Sequence, residues 1–550
     1  MNGRSASGFD AAAEAYRAAG FWRGELVVDH FDRQADANPK KTALIAADRR
    51  VSYGALQWQS RNLAANLLSL NITAGDVVAI QAPNWIELAL CHLALDRIGA
   101  IFLPLHDGFR EAEMAHLLRL SEAKALIHPA IYRGFDHREL VRELRADLPS
   151  LRQTIIMREQ AERGEISFDA LTADDAWLAK HGPDHLASFR PDSTAPMQIM
   201  VSSGTTAMPR CTIYCDDATV CKLVGQYGAE VAHLGPDDIA AAIAPAGTGA
   251  TGYSYPILAP LMHGGTAVLL ERWDGERPED ALALIAREQC TYAVMIPTQL
   301  IKLLSLPDIE AHDLSALRFV TNAGAKLPDS VAEQAERRLG CVMQTIYGAS
   351  DAGVPTMTSV DDALDKRRTV GRVLPGQQLR LADDDGQEVE AGQPGEVLWR
   401  GANQSYGFFN APEETAMVWD EAGWYHSGDL GQLDGEGYLS IVGRKKDMII
   451  RGGRNINPRQ IEEVLLRHDL VTDAAVIPFE DPVLGEIACA VIVRAQPNVT
   501  PALDDLNAFI IEQGLAVWCQ PERLMAVDDF PRNAGGKIDK QTLITQLQTS

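Results

Sequence analysis

The most informative stretch of the chain reads Val201-Ser202-Ser203-Gly204-Thr205-Thr206-Ala207-Met208-Pro209-Arg210. It continues an apolar run at residues 197–201, which is typical of a strand that ends in a loop. Its hydroxyl groups and the backbone N–H groups around Gly204 can donate hydrogen bonds to phosphate oxygens, and Arg210 adds a positive charge. A loop of this composition is also common without any ligand, so its meaning depends on the rest of the chain.

Apolar runs alternate with helical patterns on both sides of this stretch. Residues 77–80 and 100–105 are predicted strands, and the helix between them is expected to be capped by Asn84. Residues 267–270 and 292–296 repeat the same cycle around a second predicted helix. Such βαβ units favour mixed or parallel sheets. We therefore expect an α/β protein whose large N-terminal domain has mixed β-sheets with flanking helices.

The composition changes sharply after Gly443, where a charged and glycine-rich stretch begins. A helix with Asn457 as its N-cap and Pro458 as its first residue is predicted next. A second helix is predicted to start at Thr500. These elements indicate a separate α+β domain. The predicted division is an N-terminal domain over residues 1–443, a connector over 444–446 and a C-terminal domain over 447–550.

Composition and charge exclude several classes of protein. The chain has 550 residues and a formal net charge of −25, with an apolar fraction typical of globular proteins. Nucleic-acid binding requires clustered Lys and Arg against the phosphate backbone, so the acidic balance argues against that class. No apolar run reaches the length of about 18 residues that predicts a membrane span. The N-terminus lacks the basic and apolar regions of a signal peptide, so we expect a cytoplasmic protein.

Three further segments place reactive side chains beside apolar runs or glycines. The first is Tyr347-Gly348-Ala349-Ser350-Asp351, which offers an aromatic ring for a base and a carboxylate for a magnesium ion. The second contains Asp429, a carboxylate that can bind ribose hydroxyls. The third ends in Lys537 after two glycines that allow close approach of a ligand. Each segment alone is also explained by a turn or a solvated tail.

The order and spacing of all four segments, together with Gly443-Arg444-Lys445-Lys446-Asp447, resemble the adenylate-forming superfamily. This group contains acyl-CoA synthetases, aryl-acid AMP ligases and peptide-synthetase adenylation domains. The resemblance extends from Phe31 to Leu543. It implies the adenylate-forming enzyme fold, in which a hinge joins a large AMP- and acyl-binding domain to a small mobile C-terminal α+β domain. The connector at residues 444–446 would be that hinge.

The resemblance also implies a role for individual residues. Lys537 resembles the catalytic lysine, Lys446 the hinge residue and Asp351 the magnesium ligand. The residues expected to bind ATP and AMP are Ser202, Ser203, Gly204, Thr205, Thr206, Arg210, Gly324, Ala325, Tyr347, Gly348, Ser350, Asp351, Asp429 and Arg444. The residues expected to line the acyl pocket are Thr248, Tyr253, Ala323 and Gly324, and those expected on the CoA path are Gly452 and Gly453.

The implied reaction has two steps and uses ATP, Mg²⁺ and CoA. A small-molecule carboxylic acid reacts with ATP to give an acyl-adenylate and pyrophosphate, and the CoA thiol then gives acyl-CoA and AMP. A Gly-Tyr element at residues 252–253 resembles that of cyclohexanecarboxylate and medium-chain acyl-CoA ligases, which implies a cyclic, aromatic or medium-chain acid. Residues 16–24 are instead similar to aryl-acid AMP ligases that load a carrier protein, and a non-catalytic nucleotide sensor is a third alternative. A homodimer is left open.

The chain departs from the family pattern at three places. The phosphate-binding segment has Ala207 where a glycine is usual and Arg210 where a lysine is usual, so the charge is kept. Asp351 stands where a glutamate is usual and is one methylene shorter. The His-Asn pair that binds an aryl hydroxyl is absent, and a glycine-rich run at residues 245–255 replaces it.

Overall fold

The computed structural model describes residues 6–202, 208–390, 392–451, 454–481, 484–496, 499–532 and 537–548. These residues form a mixed α/β structure in which helices pack on several sheets. Three sheets of four or more strands belong to a large N-terminal part, and a smaller part near the C-terminus has its own sheet. The predicted fold class is therefore confirmed. The domain limits at residues 443 and 447 stay a prediction.

The largest sheet has nine strands within the described ranges, and its centre is parallel. The strands from Thr42–Ala46 to Val342–Ala349 run parallel, whereas the outer strands are antiparallel. In spatial order the strands are Arg372–Val373, Gly353–Met357, Val342–Ala349, Phe319–Asn322, Tyr292–Met295, Ile239–Ala242, Thr266–Leu269, Thr42–Ala46 and Arg49–Ser52.

A seven-stranded sheet is the second layer of the N-terminal part. It is parallel except for its edge strand Arg210–Cys215, which pairs antiparallel with Pro196–Ser202. In spatial order the strands are Arg210–Cys215, Pro196–Ser202, Ile101–Leu105, Val77–Gln81, Ala125–Pro129, Gln153–Met157 and Ile166–Ser167. Strand Pro196–Ser202 thus ends where the hydroxyl-rich loop begins.

An antiparallel sheet of four strands follows in the chain, and a smaller sheet of two strands lies earlier. The four strands are Gln377–Ala382, Gly395–Gly401, Tyr425–Leu433 and Leu439–Arg444, and the two strands are Ile131–Tyr132 and Phe135–Asp136. In the C-terminal part, five strands form one sheet, and two of them form a long antiparallel hairpin. These strands are Arg454–Ile456, Ile449–Arg451, Gly485–Arg494, Val471–Asp481 and Arg523–Val527.

Helices connect and cover these sheets. The α-helices are Ala6–Ala18, Val27–Ala37, Tyr53–Ser69, Ile86–Arg97, Glu111–Leu120, His137–Leu144, Phe168–Ala173, Ala176–His181, Pro183–Ala187, Asp216–Val220, Ala259–His263, Glu279–Arg287, Pro297–Leu304, Asp329–Leu339, Leu364–Arg367, Pro412–Val418, Pro458–Leu465, Leu503–Glu512 and Lys540–Gln548. The 3₁₀-helices are Arg145–Asp147, Ala246–Thr248, Ile309–Ala311, Lys445–Asp447 and Val517–Cys519. Two π-helices are Cys221–Val231 and Ala250–Leu258. In the described part of the chain, no helix combines the length and apolarity that crossing a membrane requires.

The main core lies between the two large sheets. Helix Ile86–Arg97 is buried along almost its entire length because it contacts strands of both sheets. Strands Val77–Gln81 and Ile101–Leu105 are buried on both faces, as expected for parallel strands covered on two sides. Burial on both sides explains why these segments are continuous apolar runs in the sequence.

The predicted strands at residues 77–80, 100–105, 267–270 and 292–296 are confirmed within one residue at either end. The predicted cap at Asn84 is wrong. The helix begins at Ile86, and the Asn84 amide instead donates to the carbonyls of Ala244 and Leu270, both at 3.0 Å. Its side-chain oxygen also accepts from the backbone N–H of Ala246 at 2.7 Å. Asn84 therefore joins the two large sheets, a role that depends on residues more than 150 positions away.

The predicted starts of the two C-terminal helices had different outcomes. Asn457 caps the helix Pro458–Leu465 by accepting from the backbone N–H of Arg459 at 3.1 Å, as expected. The later helix begins at Leu503 and not at Thr500. Gly514 follows it with φ +88, a backbone conformation that suits glycine and ends the helix.

Candidate active site

The hydroxyl-rich loop is anchored at both ends by paired strands. Ser202 and Arg210 lie directly opposite each other in the antiparallel pair, so the residues that flank the hydroxyl-rich segment on its two sides are neighbours in the sheet. Ser203, Gly204, Thr205 and Thr206 lie outside the described residues, and so does Ala207. Ser202 is buried, and its hydroxyl has no hydrogen-bond partner among the described residues.

Arg210 and Asp351 form an ion pair at this end of the sheet. Arg210 Nη2 donates to Asp351 Oδ2 at 2.9 Å, and the guanidinium carbon lies 4.4 Å from the centre of the Phe408 ring. Thr212, two residues further along the same strand, donates to the other Asp351 oxygen at 3.4 Å. The Asp351 side chain is almost buried, so these contacts supply most of its charge compensation. The expected phosphate cation and the expected magnesium ligand thus bind each other.

A second polar group lies on the four-stranded sheet beside Tyr347. Asp429 and Arg444 are opposite each other on neighbouring strands, and Arg444 Nε donates to Asp429 Oδ1 at 2.8 Å. The Tyr347 hydroxyl donates to Asp429 Oδ2 at 2.9 Å. Burial and the Asp429 charge raise the pKa of Tyr347 well above its ordinary value, so the phenol remains a donor. The Tyr347 ring also packs edge-on against Trp399, with centroids 5.8 Å apart.

Gly348 and Ser350 shape the turn between Tyr347 and Asp351. The pairing register shifts at Gly348, and a Cβ added there would lie only 2.4 Å from the carbonyl oxygen of Gly353. Glycine is therefore required by space at this bulge. The Ser350 carbonyl accepts a hydrogen bond from the Tyr214 hydroxyl at 2.8 Å, which fixes the turn to the edge of the seven-stranded sheet.

The segment Ala323-Gly324-Ala325 follows the strand Phe319–Asn322 of the nine-stranded sheet. Ala323 is buried, whereas Gly324 and Ala325 are exposed. Gly324 has φ +86, and the Asn322 amide donates to the carbonyl of Ala325 at 2.9 Å, which closes a tight turn. The sequence therefore presents backbone, and no large side chain, at this end of the sheet.

Contacts join the C-terminal part to the N-terminal part close to these groups. Lys326 Nζ donates to Glu463 Oε1 at 2.5 Å, and the Asn457 amide donates to the Val442 carbonyl. Gly443 is in close contact with Asn457, because a Cβ at this glycine would lie 2.7 Å from Asn457 Nδ2. Helix Pro458–Leu465 thus packs against the last strand of the four-stranded sheet.

Lys537 lies within electrostatic reach of the two polar groups described above. Its side chain still contacts water, but the surrounding protein desolvates the ammonium and lowers its pKa. Arg444 lowers that pKa further, whereas Asp429 and Asp351 raise it. Lys446, exposed in the 3₁₀-helix Lys445–Asp447, has a pKa lowered by desolvation and by Arg444. The structure therefore brings the lysine near the C-terminus to the residues of the large N-terminal part.

Tyr253, one of the expected acyl-pocket residues, lies in the protein interior. Tyr253 is fully buried, its ring stacks on His92 at 5.5 Å, and its hydroxyl lies 3.0 Å from His92 Nδ1. Burial lowers the pKa of His92 to about 3, so this imidazole is neutral. Thr248 ends a short 3₁₀-helix, and its side chain is outside the description. The expected CoA-path residues Gly452 and Gly453 lie outside the described residues.

Comparison with known proteins identifies the family. The sequence profile described as "AMP-binding enzyme" matches residues 31–409, and the profile "AMP-binding enzyme C-terminal domain" matches residues 460–537. The chain belongs to the AMP-binding enzyme family. The predicted membership of the adenylate-forming superfamily is thereby confirmed.

This AMP-binding enzyme is similar both to proteins named as CoA ligases and to proteins named as AMP ligases. It is 32% identical over 533 residues to the medium-chain fatty-acid–CoA ligase of Escherichia coli K12, covering 96% of this chain and 91% of that protein. It is 30% identical over 558 residues to the vibriobactin-specific 2,3-dihydroxybenzoate-AMP ligase of Vibrio cholerae, covering 98% and 97%. The crystal structure of the anthranilate CoA ligase AuaEII with anthranoyl-AMP superposes with a TM-score of 0.85 at 24% identity, covering 96% and 98%.

Sequence reasoning missed several side chains around the site of this AMP-binding enzyme. Thr212 and Tyr214 alternate with Arg210 along one strand, and all three side chains face Ser350 or Asp351. The period of two residues could have revealed them, because alternate residues of a strand share one face. Phe408 gives no such signal, since it comes from a distant segment.

The described residues fit a magnesium ion that binds together with ATP. No cluster of three or more His, Cys, Asp or Glu side chains suited to a metal occurs among the residues that the structure describes. Magnesium commonly binds one or two carboxylates together with substrate phosphates, so a lone carboxylate is sufficient. Asp351 has this chemistry, although both of its oxygens accept hydrogen bonds from Arg210 and Thr212. A carboxylate has about four acceptor positions, which leaves room for a further ligand.

Proposed function

We propose that this AMP-binding enzyme activates a carboxylic acid with ATP and transfers the acyl group to the thiol of CoA. The observation that carries the proposal is the position of Lys537, whose pKa responds to Asp351, Asp429 and Arg444. The ammonium of Lys537, from the C-terminal part, therefore lies near two carboxylates and a guanidinium of the N-terminal part. Membership of the family and the names of its relatives support the same chemistry.

In the first step, a carboxylate oxygen of the acid forms a bond to the α-phosphorus of ATP. The bond from that phosphorus to the bridging oxygen breaks, and pyrophosphate leaves with the electron pair. Both reactants are anions, so catalysis depends mainly on positioning and on compensation of charge. Lys537 is suited to contact the α-phosphate and the attacking carboxylate. Burial lowers the pKa of Lys537, and the charges of Asp429 and Asp351 oppose that effect.

The ion pair of Arg210 and Asp351 gives the triphosphate a ready place to bind. Arg210 can exchange its carboxylate partner for phosphate oxygens, to which guanidinium binds well. Asp351 would then hold Mg²⁺ with the phosphates, and the ion supplies charge neutralisation. Asp429, held by Tyr347 and Arg444, would accept hydrogen bonds from the ribose hydroxyls, and the Tyr347 ring would pack on the adenine.

The acid is proposed to be cyclic, aromatic or medium-chain, and the acceptor to be CoA. The Gly-Tyr element at Gly252 and Tyr253 and the relative named as a medium-chain fatty-acid–CoA ligase favour this choice. A specific observation favours a second candidate, an aryl-acid AMP ligase that loads a carrier protein. The similarity of residues 16–24 to that group, and a relative named as a 2,3-dihydroxybenzoate-AMP ligase, support it.

A panel of acids tests the proposal. Each acid is incubated with ATP and magnesium, with and without CoA, and AMP, pyrophosphate and thioester are measured by mass spectrometry. We expect acid-dependent pyrophosphate release in both conditions and an acyl-CoA thioester when CoA is present. Adenylate without thioester would favour the carrier-loading candidate. Nucleotide binding without acid-dependent pyrophosphate exchange would instead identify a nucleotide sensor and refute the proposed activity.

The second step requires Lys537 to leave so that the thiol can reach the acyl-adenylate. We propose that the C-terminal part rotates about residues 444–446 and brings Gly452 and Gly453 to the site. Lys446→Pro should then preserve adenylate formation and block thioester formation, because proline fixes the backbone φ at the hinge. Pyrophosphate exchange and thioester formation are measured separately on the same preparation.

Lys446→Ala is the matched control, since it removes the same side chain without fixing the backbone. It should form thioester much faster than the proline variant. Equal loss of both half-reactions in Lys446→Pro would contradict the hinge.

A further inference from the structure

Lys222 is a buried cation inside the N-terminal part, away from the surface. Its side chain lies in the π-helix Cys221–Val231 and is only 2% exposed. It makes no ion pair or hydrogen bond with any other described residue, and its ammonium lies near two aromatic rings. Lysine is almost never fully buried without a partner, because desolvation of an ammonium is costly. Its position therefore needs an explanation beyond packing.

Lys222 lies over one face of the seven-stranded sheet, next to Tyr214. Gln198 is paired with Tyr214 on one side and with Phe102 on the other, so these three side chains project from the same face. Lys222 Nζ lies 5.0 Å from the centre of the Tyr214 ring. Gln198 is completely buried, and neither its amide oxygen nor its amide nitrogen has a hydrogen-bond partner among the described residues.

The π-helix Ala250–Leu258 also contributes a residue near Lys222. Lys222 Nζ lies 6.0 Å from the centre of the Tyr255 ring. Within the described ranges, the hydroxyls of Tyr255 and its neighbour Ser254 are buried and make no hydrogen bond. We call Gln198, Lys222, Ser254 and Tyr255 the inner polar cluster. Buried side-chain polar atoms of Gln198, Ser254 and Tyr255 make no hydrogen bond with the described residues.

Buried polar groups without hydrogen-bond partners cost free energy, and a ligand that binds to them can remove this cost. Leaving a buried donor or acceptor unsatisfied costs about 1–3 kcal/mol for each group. Buried polar groups are therefore nearly always paired, and each exception calls for an unseen partner. The inner polar cluster combines one cation with an amide and hydroxyl donors, which is the chemistry that receives a carboxylate.

One face of the seven-stranded sheet connects the inner polar cluster to the candidate active site, because Gln198 projects from the same face as Arg210. Arg210, Thr212 and Tyr214 alternate along one strand, and four positions of strand rise separate the first from the last by roughly 13 Å. Tyr214 itself contacts both regions, because its ring faces Lys222 and its hydroxyl donates to Ser350. Gly249 lies close to the active-site end, since a Cβ there would be 3.8 Å from Ser350 Oγ and 3.8 Å from Met200 Sδ.

We propose that Lys222 receives a second carboxylate of the acid substrate, so that the enzyme activates a dicarboxylic acid at one of its two ends. The inference rests on the proposed function and narrows its substrate class. The reacting carboxylate lies beside Arg210 and Lys537, and the distal one pairs with Lys222. Gln198 Nε2 and the Tyr255 hydroxyl donate to the distal oxygens. The distance along the strand suits an acid of medium length. Lys222 is thus a specificity-determining residue.

The protonation state of Lys222 agrees with this role. Burial lowers the pKa of Lys222 to about 8, and no carboxylate of the described residues opposes that shift. The ammonium is therefore mainly charged at neutral pH and has no counter-ion until an acid binds.

Matched acids and variants test this inference. Acid-dependent exchange of pyrophosphate into ATP is measured for monocarboxylic and α,ω-dicarboxylic acids of equal chain length. The unmodified enzyme should have the higher kcat/KM for the dicarboxylic acid. Lys222→Met should lower kcat/KM for that acid by about 100-fold, since removal of one partner of a buried charge pair is expensive. The same variant should raise kcat/KM for the monocarboxylic acid.

Two further variants keep the result interpretable. Lys302→Met removes an exposed lysine from helix Pro297–Leu304 and should leave kcat/KM unchanged for both acids. Gln198→Leu keeps the approximate volume and removes the amide, and it should shift the preference in the same direction as Lys222→Met by a smaller factor. Thermal unfolding of each variant confirms that it is folded.

Each outcome either supports or overturns the inference. A preference for monocarboxylic acids in the unmodified enzyme, or an equal loss for both acids in Lys222→Met and Gln198→Leu, would overturn it and leave the proposed function intact. A better substrate with a neutral hydroxyl at the distal end would also overturn it. Failure of every acid to support exchange would refute the proposed function and this inference together.

Discussion

The candidate active site and the inner polar cluster differ in whether their charged groups are paired within the protein. At the outer end, Arg210 pairs with Asp351, and Asp429 is held by both Arg444 and Tyr347. At the inner end, the described residues offer Lys222 no carboxylate, and Gln198, Ser254 and Tyr255 have unused polar atoms. The charges of the outer groups compensate one another, whereas the charge of Lys222 is not compensated by any described carboxylate.

The difference shows two ways to prepare a binding site. A compensated site is stable without its ligand, but part of the binding energy must be used to separate its ion pairs. An uncompensated site lowers the stability of the unliganded protein and regains that energy on binding. An enzyme that binds two anions benefits from the first arrangement for the nucleotide and from the second for selection of the acid.

The largest expected effect concerns Lys537, the cation that the C-terminal part contributes to the candidate active site. Lys537→Ala should reduce the rate of adenylate formation by about 10²–10³, since it removes a preorganised charge that the proposed transition state requires. Acid-dependent pyrophosphate exchange measures this rate. Lys540→Ala is the matched control. Lys540 lies three residues after Lys537 in the chain, and its ammonium pairs with Glu462. An unchanged exchange rate in Lys537→Ala would remove the central assignment.

A smaller effect is expected when the compensated pair is broken. Arg210→Met should lower the free energy of unfolding by about 1–3 kcal/mol, because Asp351 would remain nearly buried without its cation. Unfolding in urea of the unliganded protein measures the change.

The double variant Arg210→Met with Asp351→Asn should recover part of the loss. Arg372→Met, which removes a largely exposed arginine, should change the urea midpoint little. Additive losses in the double variant would mean that the two side chains do not stabilise each other.

The inner polar cluster should respond in the opposite direction. Lys222→Met should raise the unfolding temperature of the unliganded protein, by an amount that corresponds to about 1 kcal/mol, because a buried unpaired cation is replaced by an apolar chain. Differential scanning calorimetry measures the shift. A marked fall in the unfolding temperature would show that contacts of Lys222 with Tyr214 and Tyr255 stabilise the fold by themselves.

The smallest effect is a difference in pH dependence. Burial lowers the pKa of Lys222 from its ordinary 10.5 to about 8, so between these values the unfolded chain binds more protons than the folded one. The contribution of Lys222 to stability therefore rises as the pH increases from about 8 towards 10.5. The unmodified protein should gain stability relative to Lys222→Met over this range, as measured by urea midpoints. Parallel curves would show that Lys222 is not desolvated.

Some of the site could be predicted because its residues are close together in the sequence. Tyr347 and Asp351 lie on one turn, and Asp429 and Arg444 lie on strands joined by a short connection. Local order of this kind gives recognisable motifs. Thr212 and Tyr214 were also predictable in principle, because they alternate with Arg210 along a strand.

The sequence by itself determined the α/β class, the main strands and the family, because apolar periodicity and short polar motifs are local properties. Only the tertiary structure decided that Asn84 joins two sheets, that Arg210 binds Asp351 and that Lys222 is buried. These outcomes depend on contacts between segments far apart in the chain. Burial and charge compensation arise only when such segments pack together, so no local pattern could have indicated them.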